Sequence, residues 1–225
     1  MLLLTPETWQ ITLFSIAVAL ISTLIILPIG IVVSWLFARK QWPLKSLLET
    51  VVLLPLVMPP VATGLILLKI FGRRSPLGQW LYERGIEIVF DPKGVLVAMA
   101  VMSFPLLVRS VRTSFAEINP RLEQIAATIG ASTAKIFLVI AIPLAARGII
   151  AGSLLAFSRA LGEFGATILL AGNIPGRTQT LSLAIFNYVQ VGRDAEAYTL
   201  LGITVVLAFA SVWCSEWLLR GRRRV

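Results

Sequence analysis

Five apolar stretches decide what this chain can fold into: residues 9–38, 47–71, 94–108, 148–171 and 198–219. A helix needs about 20 apolar residues to cross the hydrocarbon core of a bilayer, and four of the five reach that length. The third does so only if it continues beyond Arg109. Mean hydropathy is +0.89 and 57% of residues are hydrophobic, a balance that a water-soluble core does not need. The first stretch lacks a basic leader and is too long for a secretory signal, so it is read as a span. The apolar segment 136–146 is interrupted by Pro143 and Arg147, and is read as the approach to the fourth span. Segment 181–191 is too short and polar to cross, which predicts a packed or partly inserted helix. Loop 72–93 places Leu77, Trp80 and Leu81 on one helical face beside Glu83 and Arg84, the pattern of a short interfacial helix, though a solvated loop accounts for it equally well.

The net charge of +9 does not point to nucleic acid, because the bases lie between apolar spans rather than on a patch with interleaved aromatics. There is no His and one Cys, so neither an intrachain disulfide nor a Cys/His metal centre is available. No phosphate-binding Gly-x-x-x-x-Gly-Lys-Ser/Thr occurs, which places any nucleotide hydrolysis on another chain. No nucleophile–base pair suggests an enzyme. With five spans the termini lie on opposite sides. If the N-terminus is outside, the inner loops hold Arg39, Lys40, Lys45, Arg109, Arg112, Arg121, Lys135, Arg220, Arg222, Arg223 and Arg224. The outer loops then hold Lys69, Arg73, Arg74, Arg84, Lys93, Arg177 and Arg193. Eleven bases against seven favours that orientation, with a cytoplasmic C-terminus.

Two features suggest a moving or conducting part. Arg159 and Glu163, four residues apart, share a helical face in the fourth stretch, with Thr167 a turn further on. Gly148, Gly152, Ala156 and Ala160 repeat at the same interval and let another helix approach closely. Intramembrane charge is costly, so this face should meet protein or a water-filled path, either as a route lining or as a packing pair. In the second stretch Pro55, Pro59 and Pro60 remove three backbone donors, and Pro105 beside Ser103 removes one in the third. Broken helices persist where protein buries them or a cavity adjoins them. Spans two, three and four are thus expected to build a pathway, with one and five outside them. A structural membrane anchor would explain the spans but not the broken helices.

Between the third and fourth stretches the chain is charged. Asn119-Pro120 suits a helix start, Ala126 and Ala127 keep the segment thin, and Gly130 suits a sharp turn. Ser132 suits a second helix start, and Pro143 allows a bend. The run Glu123-Gln124-Ile125-Ala126-Ala127, then Gly130, nine residues, and Ile140-Ala141-Ile142-Pro143 resembles the EAA loop of ATP-binding-cassette (ABC) importer permeases. That family pattern is Glu-Ala-Ala, three residues, Gly, nine residues, then Ile-x-Leu-Pro. Ala126, Gly130, Ile140 and Pro143 match in place. Gln124 and Ile125 stand where the family has Glu and its first Ala, and Glu123 comes one residue early, which moves the emphasis to Gly130 and Pro143.

Further segments are similar to molybdate importer permeases: Gly72-Arg73-Arg74, Met102-Ser103-Phe104-Pro105-Leu106, Gly162-Glu163-Phe164-Gly165-Ala166-Thr167 and Asn173-Ile174-Pro175-Gly176. Some of these are shared with sulfate/thiosulfate permeases, and tungstate is a third candidate substrate. The resemblance implies an all-α integral membrane protein of the type I ABC importer permease fold, with kinked pore-lining helices and a cytoplasmic coupling-helix loop. It implies one transmembrane domain at 8–218 and a basic cytoplasmic tail at 219–225, in a bacterial inner membrane. The implied partners are a second copy, ABC ATPase subunits that bind the ATP, a periplasmic or lipid-anchored oxyanion-binding protein, and membrane lipid. No cofactor is implied for this chain.

Overall fold

The computed structural model describes residues 5–220. Of the basic tail expected at 219–225, residues 219 and 220 belong to the last helix, and 221–225, with Arg222, Arg223 and Arg224, lie outside the described residues. Those described form helices and connecting loops in the order α1 (Pro6–Arg39), α2 (Lys45–Val57), α3 (Pro60–Phe71), α4 (Pro76–Tyr82), α5 (Pro92–Ala116), α6 (Pro120–Thr128), α7 (Thr133–Ile136), α8 (Ile142–Leu161), α9 (Gly165–Leu170), α10 (Leu181–Gln190) and α11 (Asp194–Arg220). A π turn, Phe137–Ala141, joins α7 to α8 without a break. Helix starts follow local chemistry. Thr5, Ser75, Asp91, Asn119 and Ser132 each accept an amide of the first turn, and Pro opens α1, α3, α4, α5 and α6.

Among the described residues four helical rods are long and apolar enough to cross a bilayer: Pro6–Arg39, Pro92–Ala116, Thr133–Leu161 and Asp194–Leu219. The α2–α3 pair, bent by 113° at its break, has the length and composition of a fifth if it is taken as one span; the same bend describes a re-entrant loop. The third span does run past Arg109. The fourth is displaced from its expected place at 148–171: it starts at Thr133, continues through Pro143 and Arg147, and stops at Gly162. The π turn explains this. Pro143 has no amide to donate, and the wider turn ahead of it, with the Ile142 amide bonding to the Phe137 carbonyl, keeps the helix continuous. Segment 181–191 is the packed helix α10, seated on Ile11 of α1 and Leu200 of α11.

The core lies where α1, α5 and α8 meet, around Ile26, Leu107, Val111, Phe115, Ala141, Ala145 and Ala156. A first span expected outside the pathway helices thus contributes to the centre of the chain, while α2 buries no residue. The small-residue stripe acts as expected. Gly148 faces Ser114 and Gly152 faces Ser110 and Val111, so α8 and α5 pack closely. Hydroxyls link the spans: Ser34 donates to the Val108 carbonyl (3.1 Å), Ser215 to that of Ala151 (3.0 Å), and Ser15 accepts the Leu181 amide (2.8 Å). Large apolar side chains remain exposed along α1 and α11, including Leu24, Ile29, Phe209 and Trp213. Such surface suits lipid rather than water.

Candidate coupling loop and the helix seam at the opposite end

One end of the bundle carries the α6–α7 loop. Asn119 accepts the Arg121 amide (3.0 Å) and starts α6, with Glu123 in the first turn where a carboxylate suits the helix dipole. The helix closes on Gly130, at φ +87°, as the Ala131 amide bonds back to the Ala126 carbonyl (3.0 Å). That left-handed closure is the conformation glycine tolerates. Nothing lies within 4 Å of where a Gly130 Cβ would sit, so backbone shape, not crowding, requires glycine. Ser132 accepts the Lys135 amide (3.3 Å) and starts α7.

The orientation of α6 differs from the expectation that Ala126 and Ala127 make a thin outer face. Ala126 turns inward and is buried; Ala127 and Gln124 are exposed. The outward apolar face is Leu122, Ile125 and Ile129, the last 81% exposed. Their spacing of three and four residues was legible in the sequence, but the motif drew attention to the alanines. Glu123 points to the body of the protein, accepting from Arg39 Nε (2.8 Å). Ile140 lies half-buried in the π turn, and Pro143 sits exposed at the start of α8.

At the opposite end of α8, Arg159 and Glu163 form the expected pair, with Nη1 and Oε2 2.8 Å apart. They sit at the end of the rod rather than mid-span, and Glu163 lies beyond its last residue. Glu163 is 1% exposed, and its other oxygen accepts the Ala166 amide (2.7 Å) at the start of α9. Here α9 meets α3 nearly backbone to backbone. A Cβ at Gly64 would lie 2.8 Å from Ala166 Cα, and one at Gly165 2.8 Å from Pro60 Cβ. The hydroxyls of Thr63 and Thr167 are buried without a hydrogen-bond partner among the described residues.

The prolines divide into two kinds. Pro59 and Pro60 break the second span: Met58 turns extended, and α3 restarts with amides 62 and 63 bonding to the Pro59 carbonyl (2.9 and 3.2 Å). Pro55 stays inside α2, and Pro105, buried beside Ser103, stays inside an unbroken α5, so neither interrupts its span as expected. The α9 end is stitched by Arg177–Asp91 (3.0 Å) and Arg193–Glu7 (3.3 Å). Burial would raise the Asp91 carboxyl, but the Lys93 amide and the Arg177 and Lys93 charges outweigh it and hold it below its ordinary value.

A bundle of long apolar helices with a sharply bent pair, an exposed apolar helix face at one end and a charge-capped seam at the other has the make-up of a multi-span membrane protein. The chain belongs to the family of binding-protein-dependent transport system inner membrane components, whose model matches residues 26–224. It is 44% identical over 221 residues to the molybdenum transport system permease protein ModB of Escherichia coli K12, covering 97% of this chain and 96% of that one. The ModB of Haemophilus influenzae is 44% identical over 206 residues, covering 91% and 90%. The sulfate transport system permease protein CysT of Escherichia coli K12 is more distant, at 34% over 206 residues, covering 90% of this chain and 73% of that protein. Among solved structures, the MetNI methionine ABC transporter in inward-facing conformations matches with TM-score 0.67 and 18% identity, covering 96% of this chain and 94% of that one. A bacterial alginate ABC transporter in complex with an alginate-bound periplasmic protein matches with TM-score 0.74 and 16% identity, covering 100% and 82%. These two likenesses concern the fold.

Proposed function

We propose that this chain is the permease subunit of an ATP-driven importer that carries molybdate across the bacterial cytoplasmic membrane. The substrate rests on one observation: near full-length similarity to permeases named for molybdenum transport, closer than to the sulfate permease. The energy source rests on α6. Its exposed face of Leu122, Ile125 and Ile129 suits an apolar groove on a cytoplasmic ATPase, which binds the ATP. Two copies form the pore, and α2, which buries nothing within one chain, supplies surface for the partner or the path. An oxyanion-binding protein delivers substrate to the α9 end. The N-terminus is outside, because the loop end gathers Arg39, Lys40, Lys45, Arg109, Arg112, Arg121 and Lys135.

In this reading the stroke of the ATPases moves α6, and the permease residues do no bond-making chemistry. The test is reconstitution of the chain with its ATPase and binding protein in proteoliposomes, comparing molybdate, tungstate and sulfate uptake. ATP-dependent molybdate uptake well above sulfate uptake is expected. Uptake of sulfate alone overturns the substrate assignment, and uptake without any ATPase overturns the energy source.

A further inference from the structure

The loop acid of this chain has an internal partner. Arg39, the last residue of α1, uses two nitrogens of one guanidinium: Nε donates to Glu123 Oε1 at 2.8 Å, and Nη2 donates to the Ile118 carbonyl at 2.9 Å. One acceptor precedes the α6 cap and the other lies in its first turn, so a single side chain clamps the start of the loop. Only arginine presents two donors at a fixed angle for such a grip. The side chains of Arg39 and Glu123 are 11% and 14% exposed, unlike the screened pairs typical of surfaces. One turn earlier on the same face of α1, Trp35 packs in a tilted ring contact on Phe137, with centroids 5.0 Å apart, in the π turn where the loop leaves for α8. The end of α1 thus holds the loop at both its start and its exit.

We infer that Arg39 is a positioning residue that yokes α6 to α1, so that movement of the coupling loop enters the membrane domain through the first span as well as through α8. This rests on the docking reading above. It also assigns Glu123 a place: displaced by one residue from the family position, it serves the permease's own framework, and neutral Gln124 faces outward instead.

The test uses the reconstituted complex, reading molybdate transported per ATP hydrolysed alongside ATPase co-purification. Arg39→Ala and Glu123→Gln are each expected to lower the transport ratio about tenfold, within the usual range for coupling between linked sites, with the ATPase still bound. Together they should be no worse than either alone. A second arm removes dependence on how well those variants fold. Arg39→Cys and Glu123→Cys in a Cys214→Ser background should be uncoupled, and joining the two thiols with a bismaleimide should recover the ratio. A wild-type ratio in either single variant overturns the inference. So does loss of the ATPase with Glu123→Gln but not Arg39→Ala, since Glu123 would then face the partner. Cross-linking that leaves transport low also overturns it, because α1 and α6 would have to move apart. If the wild-type chain retains no ATPase, the docking reading itself fails, and this inference with it.

Discussion

Truncating Glu163 alone should harm the protein more than removing Glu163 and Arg159 together. Glu163→Ala strands the Arg159 guanidinium, whose side chain keeps 26% exposure. Stranding a fully buried charge costs about 3–5 kcal/mol, and that residual access to water brings the figure down to about 2. The Ala166 amide also loses its acceptor, which adds about 1 kcal/mol for a lost helix cap. Arg159→Ala leaves the Glu163 carboxylate buried without its guanidinium but still accepting the Ala166 amide, so about 2 kcal/mol is expected. The double variant strands nothing. It loses the cap and the packing of two side-chain stems, about 2 kcal/mol in all. Single losses of about 3 and 2 against a double of about 2 give a coupling near 3 kcal/mol, the upper end for residues in contact. Glu163→Gln keeps an acceptor for Ala166 and loses only the charge, so about 1.5–2 kcal/mol is expected. The assay is unfolding of the purified chain in mixed micelles with increasing SDS, run as a double-mutant cycle. A double variant that costs the sum of the singles to within about 0.5 kcal/mol refutes the reasoning.

Other substitutions separate backbone shape, contact surface and charge. Gly130→Val forces a β-branched residue to φ +87°, costing roughly 1–2 kcal/mol; it should leave the protein inserted but uncouple or detach the ATPase, and normal ATP-driven uptake would count against docking. Ile129→Asp, at an exposed position, should change stability by less than about 0.5 kcal/mol while sharply reducing co-purified ATPase. Gly64→Ala puts a methyl against Ala166 backbone that cannot yield, so a loss of about 1–3 kcal/mol is expected by the same unfolding assay, and a neutral result would show that α3 can slide on α9. Asp91 has a carboxyl held below its ordinary value, so its contribution is present above the unfolded-state value and disappears as pH falls through the folded one. Asp91→Asn should flatten that acid limb of the stability profile, an effect below about 1 kcal/mol because Arg177 is half exposed.

Much of the architecture was legible because span length and helix caps are local properties. Asn119-Pro120, Gly130 and Ser132 delimit α6 and α7 by chemistry that involves only near neighbours. The fourth span was not placed correctly, for a physical reason. A proline and an arginine read as a boundary when each turn is assumed to be α-helical, and a π turn removes that assumption. Its far limit was misjudged because the apolar run continues past Gly162 into α9, although the backbone turns there. The i, i+4 spacing of Arg159 and Glu163 did announce their pair, and the Ala166 cap is as local; the contact of α3 with α9 joins distant segments and leaves no periodic trace. Arg39 and Glu123 are likewise 84 residues apart, and only the fold brings them together.

The corrected fourth span changes how the two candidate sites relate. Had the rod begun near Gly148, as the sequence suggested, the α6–α7 loop would have joined it through a flexible bend, and movement of α6 would dissipate there. Instead α7, the π turn and α8 form one helical rod, Thr133–Leu161, of 29 residues. At 1.5 Å per residue it is about 43 Å long, more than the roughly 30 Å hydrocarbon core. Its first turn follows the coupling loop directly, and its last turn carries Arg159, whose partner Glu163 caps α9. The α9 backbone is locked to α3 through Gly64 and Gly165, and α3 is the second half of the broken span. On the coupling reading proposed above, a displacement applied at α6 would reach the α3–α9 seam through one continuous rod and the Arg159–Glu163 pair. If α6 is the coupling site proposed above, coupling and gating form a mechanical series, and the Glu163 cap should affect transport per ATP as well as stability.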